Sequence, residues 1–369
     1  MESVDILIVG AGVVGLAIAD RLAKPGREIA LVEKNDGFGR ETSSRNSELI
    51  HCGMYYGETL LKTRLCVKGN PMLYALCTRQ GIPHRKTGKI VVATEEEEIG
   101  ALHAILEQGK KNGVQGLELI GAEGIGKLEA NASGILGLYS RESGILDVHR
   151  LMGYLEHSAK SKGVTVAYNS AVTGISRSQG GYTVEIAEPG GAALALGAGC
   201  VVNAAGLQSD RIAAMAGIEV DRHGYRLHPC KGEYFRISHR HRGKLGRPVY
   251  PIPSPVHLGA HAVLGLDGGL KLGPSSFYVN AMDYSVDPSN QREFHEKGRK
   301  FLPFLELEDL APDMAGIRPK LYGPGEPFRD FIIREESDKG LPGFIDLVGI
   351  ESPGLTSCLA IAEMAAGLL

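Results

Sequence analysis

The fold is decided by the stretch Val4-Asp5-Ile6-Leu7-Ile8-Val9-Gly10-Ala11-Gly12-Val13-Val14-Gly15 near the start of the chain. Residues 4–9 form a short, β-rich apolar run, and residues 13–22 place apolar side chains at helical spacing. Residues 29–33 read as a second strand. Strand, glycine turn, helix and strand predict a βαβ unit, whose parallel strands need helices on the faces of the sheet.

The glycine turn carries a complete G-x-G-x-x-G pattern in the setting in which that pattern binds a dinucleotide. Gly10 permits the tight turn, Gly12 lets the backbone approach a pyrophosphate, and Gly15 lets helix and strand pack closely. Glu33 follows Gly15 by eighteen residues and suits a ribose diol. A glycine-rich turn that binds nothing is the structural alternative, and the motif alone leaves FAD and NAD open.

Composition narrows the class of protein. The 369 residues are 43% hydrophobic, so the chain can bury a large core, and its length favours two intertwined domains. The net charge is −3 and the sequence has no Lys/Arg-rich block. It therefore predicts no basic surface that would bind nucleic acid or an anionic membrane. No apolar run reaches the roughly 18 residues of a membrane span. We expect a cytoplasmic protein, with peripheral contact at an inner membrane face left open.

The six cysteines show no C-x-x-C pair and no metal-ligand spacing, so we expect reduced thiols and no metal.

Thr94 before four glutamates is typical of a helix cap, with the helix ending near Gly113. Residues 164–203 read as a meander that returns beside the first strand and enters the turn Ala204-Ala205-Gly206. Further strands are predicted at 231–237, 249–252, 257–264, 270–272 and 344–348, with a closing helix at 355–369 and a solvated loop at 239–242.

A family resemblance rests on the string Asn46-Ser47-Glu48-Leu49-Ile50-His51-Cys52-Gly53-Met54-Tyr55-Tyr56. It resembles the D-amino-acid-oxidase-like flavoproteins, and most closely their L-2-hydroxyglutarate dehydrogenase and oxidase branch. Matching strings continue along the chain at 232–235, 250–253, 258–261, 273–274, 315–318 and 352–357. The chain departs from the branch at 43–45 and 275–276, so the identity of the substrate stays open.

The resemblance implies an α/β fold with a Rossmann-like three-layer FAD-binding domain and a mixed-sheet α+β substrate domain. We predict the FAD-binding domain at 1–87, 150–226 and 328–369, and the substrate domain at 88–149 and 227–327. The hydroxyl-rich turn 42–47 suits the extended FAD molecule, although such a turn is also common on surfaces. The predicted cofactor-binding residues are Gly10, Gly12, Val13, Val14, Gly15, Glu33, Lys34, Thr42, Ser43, Ser44, Asn46, Ser47, Val172, Ala204, Ala205, Gly206, Arg318, Gly354, Leu355, Thr356 and Ser357.

The resemblance also implies a small carboxylate substrate. Arg318 lies in an apolar segment and is expected to bind that carboxylate, with an internal ion pair as the alternative. Removal of hydride from a hydroxy acid requires a base for the hydroxyl proton, and histidine is suited to this. We predict His261 as the base and His51 nearer the flavin, and the further predicted substrate-binding residues are Lys320, Tyr56, Tyr250 and Tyr278.

The sequence therefore predicts an FAD-dependent oxidation of an L-2-hydroxy acid, similar to 2-hydroxyglutarate. One alternative is an amino-acid or amine oxidase on the same fold, in which a neutral amine needs no strong base. Another is a flavin-binding module without turnover. The electron acceptor, whether oxygen, a quinone or an electron-transfer protein, is not encoded in any motif.

Overall fold

The computed structural model describes residues 2–187, 190–191, 193–253 and 260–369. In this part of the chain the α-helices are α1 Val13–Leu22, α2 Leu61–Gln80, α3 Ile99–Lys111, α4 Ala122–Leu128, α5 Val148–Ser161, α6 Ser209–Met215, α7 Val220–His223, α8 Gln291–Gly298 and α9 Gly354–Ala366. The strands are β1 Ser3–Val9, β2 Ile29–Val32, β3 Leu49–Ile50, β4 His84–Arg85, β5 Lys89–Ala93, β6 Leu117–Gly121, β7 Leu136–Ser140, β8 Gly144–Leu146, β9 Thr165–Ala167, β10 Ala171–Ser178, β11 Gly181–Ala187, β12 Ala193–Asn203, β13 His228–Ile237, β14 Val249–Pro251, β15 Ala262–Leu264, β16 Leu270–Leu272, β17 Phe277–Tyr278, β18 Leu310–Lys320, β19 Ile332–Glu336 and β20 Leu341–Val348.

The chain folds into two compact units, each built from separate segments. The first unit comprises Met1–Ser44, Val148–Pro229 and Arg318–Leu369. The second comprises Arg45–Asp147 and Cys230–Ile317. The predicted α/β class, with a mixed sheet in the second unit, is confirmed.

The first unit is organised around a sheet in the order β10-β11-β12-β1-β2-β9, with β20 pairing β12 and β19. Strand β1 runs parallel to both β2 and β12, so the predicted βαβ unit and the predicted return beside it are both confirmed. Residues 6–9 of β1 are buried, and helix α1 packs against α5 and α9. The carboxyl ends of the parallel strands therefore meet at one edge, where such sheets bind ligands.

Glycine is required at two positions of the first turn. Gly10 has φ 106°, and a Cβ built there would lie 2.6 Å from the Ala204 carbonyl oxygen. A Cβ at Gly15 would overlap the carbonyl oxygen of Gly10. The missing side chains thus let the turn after β1 touch the turn after β12, and let α1 pack directly on the loop that precedes it.

The second unit contains a mixed sheet in the order β17-β13-β16-β15-β14-β5-β7-β6, with β18 pairing β13. Strand β5 is buried along its whole length because it lies inside this sheet, parallel to β14 and antiparallel to β7. Helices α3 and α4 contact β6 and β7. The predicted hairpin at 267–269 is confirmed, since β15 and β16 pair as antiparallel neighbours.

The segment 45–87 lies in the second unit, whereas the predicted domain boundaries place it with the FAD-binding domain. The physical reason is strand pairing, because β3 and β4 both pair with β8 of the second unit. Residues 318–327 lie in the first unit, although the predicted boundary places them in the substrate domain.

Two local predictions are wrong. The cap residue is Glu95 and not Thr94, because Glu95 and Glu98 form a reciprocal capping box: the Glu95 side chain accepts the backbone N–H of Glu98, and the Glu98 carboxylate accepts the backbone N–H groups of Thr94 and Glu95. Residues 239–242 are not simply a solvated loop. His241 is buried and its Nε2 lies 2.8 Å from a carboxylate oxygen of buried Asp309, a partner too distant in sequence for local reading.

Other predictions are confirmed or fall outside the described residues. The cysteines carry free thiols. The strand expected at 257–264 is observed as Ala262–Leu264, and residues 254–259 lie outside the described residues. Among the described helices, none combines the length and the apolarity that crossing a membrane requires.

We expect Gly15→Ala to lower the free energy of unfolding by about 1–3 kcal/mol, since the added methyl group overlaps the Gly10 backbone. Gly100→Ala is the matched control, because Gly100 also lies in a helix and a Cβ there meets nothing within 4 Å. That control is expected to raise stability by about 0.5–1 kcal/mol. Urea unfolding measures both, and equal effects would contradict the packing argument.

Candidate functional site

A cavity of about 270 Å³ lies in the first unit and is lined by the turn after β1, the end of β2 and the turn after β12. Its volume is near the lower end of ligand pockets, roughly 300 Å³, so it suits part of a dinucleotide. The predicted cofactor-binding residues that line this cavity are Gly10, Gly12, Glu33, Lys34, Thr42, Ser43, Val172, Ala204, Ala205 and Gly206. Residues far apart in sequence are thus brought to one place.

Glu33 is held in a fixed orientation at the end of β2. One carboxylate oxygen accepts the backbone N–H of Ala11 at 2.9 Å. The other accepts the backbone N–H of Asn35 at 2.9 Å and its side-chain amide at 2.7 Å. A carboxylate has about four acceptor positions, so Glu33 keeps capacity for a ribose hydroxyl. Its carboxylate also holds the glycine turn in place.

The N-terminus of α1 is arranged around Ser43. The Ser43 hydroxyl oxygen accepts the backbone N–H of Val13, the first residue of the helix, at 3.0 Å. A Cβ at Gly12 would lie only 3.1 Å from this oxygen, so glycine keeps the approach to the helix end open. The positive end of the helix dipole favours an anion here. Glycine turn, hydroxyl and carboxylate together fit the pyrophosphate and ribose of FAD.

Asn203, the last residue of β12, holds the turn 204–206 in position by hydrogen bonding. The Asn203 side-chain carbonyl accepts the backbone N–H of Ala205 at 3.3 Å. Its amide nitrogen donates to the Ser209 carbonyl at 2.7 Å and to the carboxyl of Asp346 at 2.6 Å. Asn203 and Asp346 are both fully buried. Neither was predicted from the sequence.

The closing helix α9 begins at Gly354, one residue earlier than predicted, and ends at Ala366. Thr356 and Ser357 of its first turn are fully buried. Among the described residues, the Ser357 hydroxyl finds no hydrogen-bond partner. Buried polar atoms are normally paired, so this hydroxyl is a candidate contact for a bound ligand. The cofactor role of Gly354, Leu355, Thr356 and Ser357 stays a prediction.

The other predicted cofactor residues lie outside the cavity. Val14 and Gly15 lie within α1, and Ser44 ends the short 3-10 turn Thr42–Ser44. Asn46 and Ser47 belong to the second unit, where the Asn46 side chain accepts the Glu48 N–H at 2.8 Å and the Ser47 hydroxyl lies 2.9 Å from that of Tyr234.

Several residues that line the cavity were missed from the sequence, namely Arg40, Glu41, Ser170, Ala171, Gln208, Arg211 and Met215. Ser170 and Ala171 adjoin the predicted Val172, so sequence adjacency could have found them. Arg211 and Met215 come from α6, which reaches the cavity only through tertiary packing. The sequence holds no local signal for these two.

In the second unit, His261 is stacked face to face on Tyr250. The ring centroids lie 3.7 Å apart and the ring planes differ by 2°. Pairing of β14 with β15 produces the stack, because Val249 lies opposite Ala262 in the register. Both rings are buried, with His261 7% exposed. The stack fixes the plane of the imidazole, and a general base must be held within hydrogen-bond reach of the proton that it accepts.

Lys89 is a fully buried cation that the sequence did not identify as functional. Its ammonium nitrogen donates to the Tyr55 hydroxyl at 2.9 Å and lies 4.7 Å from the centre of the Tyr250 ring. The described residues offer this ammonium no ion pair with a carboxylate. Burial lowers the pKa of Lys89 to about 8, so it is mostly charged at neutral pH. In sequence it is merely the first residue of an apolar strand.

His51 is kept neutral by its surroundings. Burial, and then the Lys89 charge, lower the pKa of His51 to about 3. Its backbone carbonyl accepts the side-chain amide of Asn70 at 2.8 Å, which fixes the main chain at this point. At neutral pH the imidazole therefore carries one N–H donor and one acceptor nitrogen. It is suited to hydrogen bonding with a substrate more than to holding a proton.

The remaining predicted substrate residues lie on separate elements. The Lys62 ammonium lies 4.6 Å from the ring centre of Tyr56. Tyr278 lies on β17 opposite Cys230. Arg318 and Lys320 end strand β18 and belong to the first unit, where the Lys320 ammonium lies 4.9 Å from the ring centre of Tyr322. Their roles stay predictions.

Comparison with known proteins identifies what this chain is similar to. It matches the family described as DAO, FAD dependent oxidoreductase, over residues 5–368. It is 36% identical to the mitochondrial L-2-hydroxyglutarate dehydrogenase of Arabidopsis thaliana, over 98% of this chain and 82% of that protein. The human protein of the same name is 35% identical, over 99% of this chain and 88% of its own length.

Solved structures show the same fold. L-alpha-glycerophosphate oxidase from Mycoplasma pneumoniae, with FAD bound, superimposes with a TM-score of 0.88 at 26% identity, covering 100% of this chain and 95% of that one. Glycine oxidase from Geobacillus kaustophilus gives a TM-score of 0.83 at 21% identity, covering 100% of this chain and 95% of that one. The second likeness bears on the fold alone.

We expect Glu33→Ala to weaken FAD binding about 10- to 100-fold, since it removes the acceptor for the Ala11 N–H and for the ribose. Glu33→Gln keeps one carbonyl oxygen, so we expect its affinity for FAD to lie between that of the wild-type protein and that of Glu33→Ala. Fluorescence titration of the apoprotein with FAD gives the dissociation constants. Exposed Glu28→Ala is the control, and a Glu33→Ala protein with wild-type affinity would rule out this ribose contact.

Proposed function

The chain belongs to the family of FAD-dependent oxidoreductases, and on this basis we propose that it oxidises a small L-2-hydroxy acid, 2-hydroxyglutarate or a close analogue, to the 2-oxo acid. The observation that carries the proposal is the buried His261, held in a parallel stack on Tyr250. Similarity to proteins named L-2-hydroxyglutarate dehydrogenase along nearly the whole chain supports the substrate class.

The reaction removes two electrons and two protons from the substrate. The α-carbon loses its hydrogen as a hydride, the hydroxyl oxygen loses a proton, and a carbon–oxygen double bond forms. When bound, FAD supplies the hydride acceptor at its N5 atom. The chain must therefore provide a proton acceptor and must hold the carboxylate so that the α-carbon faces the cofactor.

We assign the proton acceptor to His261. A general base works best when its pKa lies near the working pH. Burial and Lys89 lower the pKa of His51 to about 3, so His51 is a weak base. His51 then serves as a neutral hydrogen-bond partner of the substrate. Burial first, and then the Lys89 ammonium, keep His51 neutral and thereby support the division of roles between the two histidines.

We assign the substrate carboxylate to Arg318. A guanidinium matches a carboxylate with two parallel N–H bonds, which fixes the orientation as well as the position of the acid. Lys320 follows two residues later in the same strand, where side chains at i and i+2 share a face. It is our candidate for a second carboxylate, and Tyr56, Tyr250 and Tyr278 are candidates for substrate hydrogen bonds.

Substrate class is tested by anaerobic stopped-flow reduction of the bound flavin. We expect L-2-hydroxyglutarate to bleach the flavin, and expect D-2-hydroxyglutarate, glycine and D-amino acids to leave it oxidised on the same timescale. Reduction by the amino acids but not by the hydroxy acid would establish an amino-acid oxidase instead. A flavoprotein that none of these compounds reduces would favour a binding module without turnover.

Residue roles are tested with His261→Asn and Arg318→Ala. We expect His261→Asn to lower kcat/KM about 10²- to 10⁴-fold, the usual contribution of a general base, with FAD retained. Arg318→Ala is expected to raise KM by about 10-fold or more, the cost of losing one charged hydrogen-bonded contact. Exposed His103→Asn and Arg292→Ala are the controls. Wild-type kinetics in either test variant would remove that residue from the mechanism.

A further inference from the structure

Two buried carboxyl groups stand outside all the roles assigned above. Asp346 lies in β20 and Glu336 ends β19, and both side chains are fully buried in the first unit. Asp346 lies opposite Arg334 in the β19–β20 pair, two residues before Glu336, and the Glu336 carboxyl acts on it electrostatically. Buried like charges are costly, so their surroundings decide which of them carries a charge.

Glu336 has the partners of an ionised carboxylate. The Lys339 ammonium lies 2.5 Å from one of its oxygens, and the Arg334 guanidinium lies 3.3 Å from the same oxygen. The other oxygen accepts the Tyr225 hydroxyl at 2.6 Å. Two cations and a hydroxyl thus stabilise the charge on Glu336.

Asp346 lacks such partners, since the described part of the chain gives it no ion pair. Its one hydrogen-bond donor there is the side-chain amide of Asn203, at 2.6 Å. Burial, and then the charge on Glu336, raise the pKa of Asp346 to about 8. At neutral pH the group is therefore a neutral carboxyl: one oxygen accepts from Asn203, and the described residues offer the other no hydrogen-bond partner.

Asn203 connects this carboxyl pair to the cofactor cavity. Its amide nitrogen donates to Asp346, and its carbonyl oxygen accepts the backbone N–H of Ala205. Ala205 lies in the turn 204–206 that lines the cavity. A flip of the Asn203 amide would break both contacts and the hydrogen bond to the Ser209 carbonyl, so Asp346 and Ser209 together determine which way Asn203 presents its oxygen to the turn.

We propose that Asp346 is a positioning residue for FAD, acting through Asn203 on the turn 204–206. Asp346 does not touch the cofactor in this proposal; it fixes the backbone that does. The proposal concerns the cofactor alone, so it stands or falls independently of the substrate proposed above.

A pH dependence of FAD binding follows from this arrangement. Arg334 lies opposite Asp346 in the β19–β20 pair, Asn203 hydrogen-bonds it, and Glu336, Lys339 and Tyr225 interact with it electrostatically. The folded-state pKa of Asp346 is raised, so the neutral form is fully present at low pH and is lost as pH rises through about 8. The ionised form accepts the Asn203 amide more strongly but is repelled by Glu336, so a carboxylate displaced from Glu336 displaces Asn203 with it. FAD binding should therefore weaken at high pH.

The test uses Asp346→Asn and Asp346→Leu. Asparagine copies the neutral carboxyl, since it is uncharged and its oxygen can accept from Asn203, but it does not titrate. Leucine removes the acceptor. Val184→Ala in β11 is the control, because Val184 is fully buried in the same sheet without lining the cavity. FAD dissociation constants and release rates from the holoenzyme are measured by flavin fluorescence at pH 6.5 and 9.5.

We expect Asp346→Leu to weaken FAD binding about tenfold at pH 6.5, the effect of leaving one buried donor unpaired. Wild-type protein should bind FAD several-fold more weakly at pH 9.5 than at 6.5, whereas Asp346→Asn should bind with wild-type affinity at pH 6.5 and change far less with pH. The proposal is overturned if Asp346→Leu binds FAD as Val184→Ala does, or if Asp346→Asn keeps the full wild-type pH dependence. Should Asp346→Leu fail to fold, the pH comparison with Asp346→Asn decides.

Discussion

The close contact between two backbone turns is the constraint on which the first unit depends. Strands β1 and β12 run parallel, and Ala204 donates its N–H to the Val9 carbonyl at 3.0 Å where they end. Gly10 meets the Ala204 carbonyl at a distance that no side chain would permit. Because both turns line one cavity, the spacing of this contact sets the width of the cofactor site. Glu33, Ser43 and Asn203 each brace one part of it.

The fold and part of the site could be predicted because their signals are local. The glycine pattern, its flanking strand and helix, and the acid at the end of β2 occupy one continuous stretch, and the structure places them as their spacing indicates. Hydrophobic period and turn residues also located β16 and α9 closely. In these segments the residues that contact one another are also close in sequence, so a local sequence pattern can predict the structure.

The rest depends on contacts that no pattern represents. Asn203 and Asp346 are 143 residues apart, and each alone reads as an ordinary polar residue at the end of a strand or within one. Lys89 reads as a strand boundary, yet the sheet buries it beneath Tyr55 and Tyr250. His241 reads as part of a basic loop until Asp309 is placed beside it. Sequence reading fails where a charge is buried by residues from distant segments, because burial is then a property of the tertiary fold.

The first unit has a sheet drawn from three segments of the chain, and this order has a consequence for biosynthesis. During translation, β1 and β2 emerge first and β12 follows, but the end of β12 pairs with β20, which emerges some 140 residues later. Until then residues 201–203 are an exposed parallel edge, the kind of surface that pairs with other chains. The nascent protein therefore contains every residue that lines the cofactor cavity, the last being Met215, well before the strand that covers the end of β12 has been made.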